Sequence, residues 1–141
     1  MTQWEEAKKG SVTKEMKVVA RDEGIEVELL RGRLVSGEVI ILNNRRGVPL
    51  GIGNGLRVKV NANLGTSPEI CDLNWEKKKL EKAVKAGADT IMDLSTAGDL
   101  DKIRKMFLEN CSLPLGTVPI YQAAVESIRE EGSLAKMKPE K

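Results

Sequence analysis

The apolar positions of this chain follow two rhythms, and the change between them falls near Gly55. In the first stretch Met16, Val19 and Ala20 recur at i, i+3, i+4, which predicts a helix over 14–23 with Gly24 able to supply a left-handed cap. Ahead of it, Thr2-Gln3-Trp4-Glu5 has the form of a capping box, and Gly10 is placed to end a short helix. Residues 27–35 read as a third, weaker helix and 38–42 as a short extended segment. Residues 43–55, with Pro49 and four glycines, read as a loop. The boundary is placed there, giving a mostly helical amino-terminal segment over 1–50 and a second region over 51–141.

Beyond Gly55 a strand-like apolar run is followed by a charged helical run three times over. Residues 56–63 alternate, with Leu56, Val58, Val60 and Ala62 on one face and Arg57, Lys59, Asn61 and Asn63 on the other, the period of a strand. A helix over about 74–86 follows, with Leu80, Ala83 and Val84 at helical spacing. Residues 90–94 form the second strand, 100–110 a helix with Leu100, Ile103, Phe107 and Leu108 inward, 113–118 the third strand and 121–131 the third helix. The tail from Lys136 reads as frayed. Strands alternating with helices imply right-handed crossovers and a parallel sheet, so the fold class is α/β. Three such units belong either to a small open sheet or to the opening portion of a (β/α)8 barrel, which needs about 250 residues to close.

Composition narrows the chemistry. Among 141 residues, 23 basic and 21 acidic side chains leave a net charge of +2, too balanced for a polyanion binder, and aromatics at 3% provide no stacking platform for nucleic acid. The count of zero histidines removes every Ser-His-Asp or Cys-His mechanism and every His metal site this chain could build alone. Cys71 and Cys111 lack a CxxC pairing, so no zinc finger or cysteine-ligated iron–sulfur cluster can be assembled from them within one chain, and no metal ligands are assigned. No apolar run approaches the ~18 residues of a membrane span, and the start of the chain lacks a leader pattern, so a cytoplasmic protein with reduced thiols is expected.

In parallel α/β folds, ligands lie beyond the carboxyl ends of the strands, where strand-to-helix loops and helix amino termini converge. That rule selects Asn61, Asn63, Gly65, Thr66 and Ser67 after the first strand, residues 92–98 after the second and 117–122 after the third. Gly51-Ile52-Gly53-Asn54-Gly55 precedes a strand and lacks a Gly-Lys-Ser/Thr ending, so it reads as a flexible turn and not a phosphate loop. Ser95 and Thr96 read as helix caps in preference to anion ligands. Lys77-Lys78-Lys79 reads as the solvated side of a helix. If Val58, Val60 and Ala62 pack against helices, then Lys59, Asn61 and Asn63 face the other side of the sheet. There Lys59 would need a carboxylate, with Asp93 the candidate, and a polar barrel interior would suggest a ligand site. The alternative is an open strand with one solvated face.

Three segments carry a resemblance: VKVNANLGTS (58–67), AGADTIMDLSTAGDL (86–100) and LPLGTVPIYQA (113–123). In order and spacing they resemble the amino-terminal part of the phosphomethylpyrimidine synthase family, the radical enzymes that make the thiamine pyrimidine. The likeness spans nearly the whole chain. It implies a (β/α)8 barrel lyase that rearranges aminoimidazole ribotide into hydroxymethylpyrimidine phosphate using S-adenosylmethionine and a [4Fe-4S] cluster, with zinc also bound. By the same resemblance Asn63, Met92 and Tyr121 match substrate-contacting positions; the polar face of the first strand adds Lys59 and Asn61, with Asp93 as the partner of Lys59, as candidate supporting residues. The cluster cysteines and zinc histidines of the family match no residue of this sequence. The 43–50 loop is shorter than is usual in the family and lacks its histidine, and Ala97 stands where glycine is common. The implied chain is a catalytically incomplete opening portion that self-associates or pairs with the remaining strands. The alternative is a free-standing, non-catalytic ribotide-binding or subunit-pairing module.

Overall fold

The computed structural model describes residues 2–43 and 47–137. The end of the chain expected to fray lies, from Lys138 on, outside them, as do residues 44–46 of the expected loop. The chain divides into two compact units, Met1–Val60 with Ser112–Pro114, and Asn61–Cys111 with Leu115–Lys141.

In the first unit α1 (Gln3–Lys8) opens with the capping box read from the sequence: the Thr2 hydroxyl accepts from the Glu5 amide and Glu5 accepts in return from the Thr2 amide. Helices α2 (Lys14–Glu23) and α3 (Val27–Ser36) each end on a left-handed glycine, Gly24 and Gly37. Their inward faces supply Met16, Val19, Ala20, Leu30 and Leu34 to a core that also takes in Ala7 and Val39. Strand β1 (Val39–Leu42) matches the expected extended segment. The glycine-rich stretch expected to be a loop contains a second strand, β2 (Leu50–Gly53), paired antiparallel to β1 with Val39 opposite Gly53 and Leu42 opposite Leu50.

The physical reason for that correction is close approach. A Cβ on Gly51 would lie 2.5 Å from Val19 Cγ1, and one on Gly53 would lie 2.1 Å from the Glu38 carbonyl oxygen. Gly51 lets β2 lie close against Val19 of α2, and Gly53 lets it close on the backbone at the start of β1. Because β2 is hydrogen-bonded to β1, residues 50–53 belong with the helical unit, which runs on to Val60.

The second unit begins with β3 (Asn61–Leu64), far shorter than the strand expected over 56–63. Val58 is 89% exposed and Val60 is 60% exposed, so the alternation that suggested packing against helices marks no buried face there. Helix α4 (Leu73–Lys85), β4 (Thr90–Asp93), α5 (Leu100–Asn110), β5 (Leu115–Thr117) and α6 (Pro119–Glu131) follow, then a 3-10 turn at Leu134–Lys136. The sheet is parallel, in the order β3, β4, β5, with a helix in each crossover. This is α/β architecture. Leu80, Ile91, Leu100, Ile103, Phe107 and Ala123 are buried, whereas Leu108 and Val84, expected inward, are exposed.

A candidate ligand site at the carboxyl ends of the parallel strands

The register of the sheet decides which side chains share a face. Asn61 is opposite Thr90, Ala62 opposite Ile91, Asn63 opposite Met92 and Leu64 opposite Asp93. Met92 is in turn opposite Gly116 and Asp93 opposite Thr117. Since alternate residues of a strand point to opposite faces, Asn61, Asn63, Thr90, Met92 and Gly116 form one face. Leu64, Ile91 and Asp93 form the other. Burial agrees, for Leu64, Ile91 and Asp93 are buried while Asn61 and Asn63 are exposed and Thr90 and Met92 half-buried.

The more exposed face carries a polar row. Asn61 Nδ2 donates to Asn63 Oδ1 at 2.8 Å, and the Thr90 hydroxyl donates to Asn61 Oδ1 at 2.9 Å. The Met92 thioether lies over Gly116, where a Cβ would stand 2.8 Å from its terminal methyl. Asn63 and Met92 are therefore brought together, and Asn61 supports Asn63 directly. Tyr121 sits in the first turn of α6, its amide donating to the Val118 carbonyl, with its side chain exposed.

Two supporting residues are placed otherwise than expected. Asp93 faces away from Asn63, and its carboxylate accepts from the Ser95 amide at 2.9 Å. Lys59 lies outside the sheet and pairs with Glu23, not Asp93, at 2.9 Å, both side chains nearly buried at 6% and 5% exposure. Lys59 also donates to the Arg57 carbonyl. Burial raises the Glu23 pKa, but the hydrogen bonds from Lys59 and the Arg57 amide, with the charges behind them, outweigh it and hold the carboxyl below its usual range.

Past the strand ends the loops after β3 and β4 stay zipped together. The Leu94 amide donates to the Leu64 carbonyl at 2.8 Å and the Thr96 amide to the Thr66 carbonyl at 2.9 Å. Buried Thr66 donates its hydroxyl to the Ala97 carbonyl, while its amide donates to the Ser95 hydroxyl oxygen. Ser95 and Thr96 thus tie loops together and do not cap α5. That cap is Asp99, which accepts from the Lys102 amide at 3.0 Å. From α4 the buried Glu76 accepts from the Gly65 amide at 2.9 Å and is ion-paired with Lys79 at 2.6 Å. Of the three lysines expected to be solvated, Lys79 is therefore partnered and half-buried. Glu76 was missed by sequence reasoning. The signal for it is spacing, since 76, 80 and 83 fall on one helical stripe and an acid on an apolar stripe needs a partner.

A model of the Radical SAM ThiC family matches residues 2–141. The chain belongs to this family. Over 143 aligned residues, covering 99% of the chain, it is 52% identical to a phosphomethylpyrimidine synthase of Thermococcus kodakarensis. It is 50% identical over 99% of its length to one of Thermoanaerobacter sp. and 50% identical over 97% to one of Methanococcus maripaludis. In each case it spans 33% of the relative's length, and the match is to the amino-terminal portion. The three segments that carry the resemblance and the site just described all lie within the matched stretch.

Proposed function

We propose that this chain supplies part of the aminoimidazole ribotide site of a phosphomethylpyrimidine synthase, and that its three parallel strands are the opening strands of a (β/α)8 barrel completed by further polypeptide. The observation that carries the reading is the pairing of Asn63 with Met92 across β3 and β4 on the more exposed face of the sheet. In a barrel that face would be the interior. An amide that both donates and accepts, set beside a soft thioether, suits a flat heteroaromatic ring bearing amino and ring-nitrogen groups. The Asn61 and Thr90 hydrogen bonds hold the Asn63 amide in one orientation. Tyr121, at the start of the helix after β5, supplies a phenol from the same end of the sheet.

S-adenosylmethionine and a [4Fe-4S] cluster are the cofactors that the family name suggests, and together they would supply radical chemistry. The residues present do not fit the cluster. Cys71 is exposed and Cys111 buried, and among the described residues no three His, Cys, Asp or Glu side chains are grouped to hold a metal ion. Cluster and zinc ligands must come from outside this chain, which alone is catalytically incomplete and pairs with the portion that carries them. Among the described residues β3 and β5 are the outer strands of the sheet, and further strands would cover their outer edges.

Equilibrium dialysis of the chain against aminoimidazole ribotide tests the reading, with inorganic phosphate as control. Saturable ribotide binding that is weakened at least tenfold in N63A and M92A is expected. Equal retention of ribotide and phosphate by wild type and both variants would overturn it.

A further inference from the structure

Glu76 is a buried carboxylate, 1% exposed, on the helix that follows β3. It makes none of the ligand contacts assigned above, yet its Oε2 takes the Gly65 N–H at 2.9 Å. Its other oxygen holds Lys79 Nζ at 2.6 Å, and that ammonium in turn donates to the Gly65 carbonyl at 3.4 Å. One turn of α4 therefore grips the polar groups of Gly65 from both sides. Gly65 can occupy this place only without a side chain: its φ is +141°, and a Cβ would lie 2.5 Å from the Ser95 nitrogen and 2.7 Å from the Leu94 carbonyl carbon.

A buried carboxylate is costly unless its charge is met by hydrogen bonds and an opposite charge. Both are spent here on a single backbone position two residues after Asn63. We propose that Glu76 is a positioning residue, with Lys79 as its counter-ion: by fixing Gly65 against the loop after β4 it sets the end of β3 and so holds Asn63 in register beside Met92. The link to ribotide binding rests on the function proposed above. The link to Asn63 geometry does not.

The test compares the whole chain with E76A, E76Q and L80A, the last removing a buried side chain of the same helix that the grip does not use. Nuclear magnetic resonance reads the Gly65 amide and the Asn63 side-chain amide, and dialysis reads ribotide affinity. In E76A both resonances move and affinity falls about tenfold, the scale of a small misplacement of a binding group. E76Q, whose amide oxygen can still accept from Gly65, restores most of both. L80A, though destabilised, leaves the Asn63 resonance and the affinity near wild type. An Asn63 resonance unmoved in E76A, or moved as far in L80A, overturns the proposal. Should wild type bind no ribotide, the ligand assignment fails alone, since the resonances still decide whether Glu76 positions Asn63.

Discussion

The Met92 side chain lies directly over Gly116 on the neighbouring strand, in the space a β-carbon would need. That contact is with the flexible end of a side chain, so Gly116→Ala should fold with a stability change within about 1 kcal/mol. Met92 must then swing aside, toward or away from Asn63. Thermal denaturation together with ribotide dialysis checks this: near-native melting with affinity lowered several-fold is expected, and unchanged affinity would detach Met92 from the site.

At Gly65 the same substitution meets backbone on the next loop, which cannot give way as a methionine can. Gly65→Ala is expected to cost about 3 kcal/mol or more from strain and collision together. Urea unfolding would show a lowered midpoint, and a loss under 1 kcal/mol would mean the loops after β3 and β4 are looser than the geometry says.

The Glu23–Lys59 pair gives the first unit a dependence on acid. Because the Glu23 carboxyl is held below its usual range in the folded protein, its contribution is fully present above the unfolded carboxylate pKa of about 4.3. It is lost as pH falls from there through the lower folded value. Urea midpoints taken between about pH 6 and pH 3 should fall less steeply in E23Q than in wild type. At neutral pH, E23A leaves a nearly buried ammonium without its carboxylate and should cost about 3 kcal/mol.

Anaerobic reconstitution of the chain with iron and sulfide should yield no [4Fe-4S] absorption, since two thiols cannot supply a cluster's cysteine ligands. A stoichiometric cluster on monomeric protein would show that the chain is more complete than proposed.

Legibility in the sequence followed the range of the interactions involved. The capping box at Thr2 and Glu5, the helix over Leu100–Asn110 and the parallel βα order rest on neighbours within a few positions, and local pattern reports them well. The strand at Leu50–Gly53 was hidden because its glycines are required by Val19 and Glu38, which the local composition does not contain. Lys59 was assigned to the sheet by alternation alone, whereas its burial depends on a carboxylate in α2. At the candidate site the strand-end rule reaches Asn63 and residues 92–98, the resemblance singles out Asn63 and Met92, and the choice between Met92 and Asp93 needs the sheet register, which puts Met92 beside Asn63. Glu76 escapes the local pattern because its partner, the Gly65 amide, belongs to the loop after β3 and not to its own helix.

The zipped loops after β3 and β4 also restrict how this end of the sheet can recognise anything. The amides of Gly65, Thr66, Leu94, Ser95 and Thr96 are all consumed within the protein, by Glu76, Ser95, Leu64, Asp93 and Thr66 respectively. No free main-chain donor is left at those five positions to wrap a phosphoryl group as a glycine-rich cradle does. At those five positions selectivity is left to side chains, which evolution can exchange one at a time, and under the proposed function the anionic end of a ribotide would be met by donors other than these.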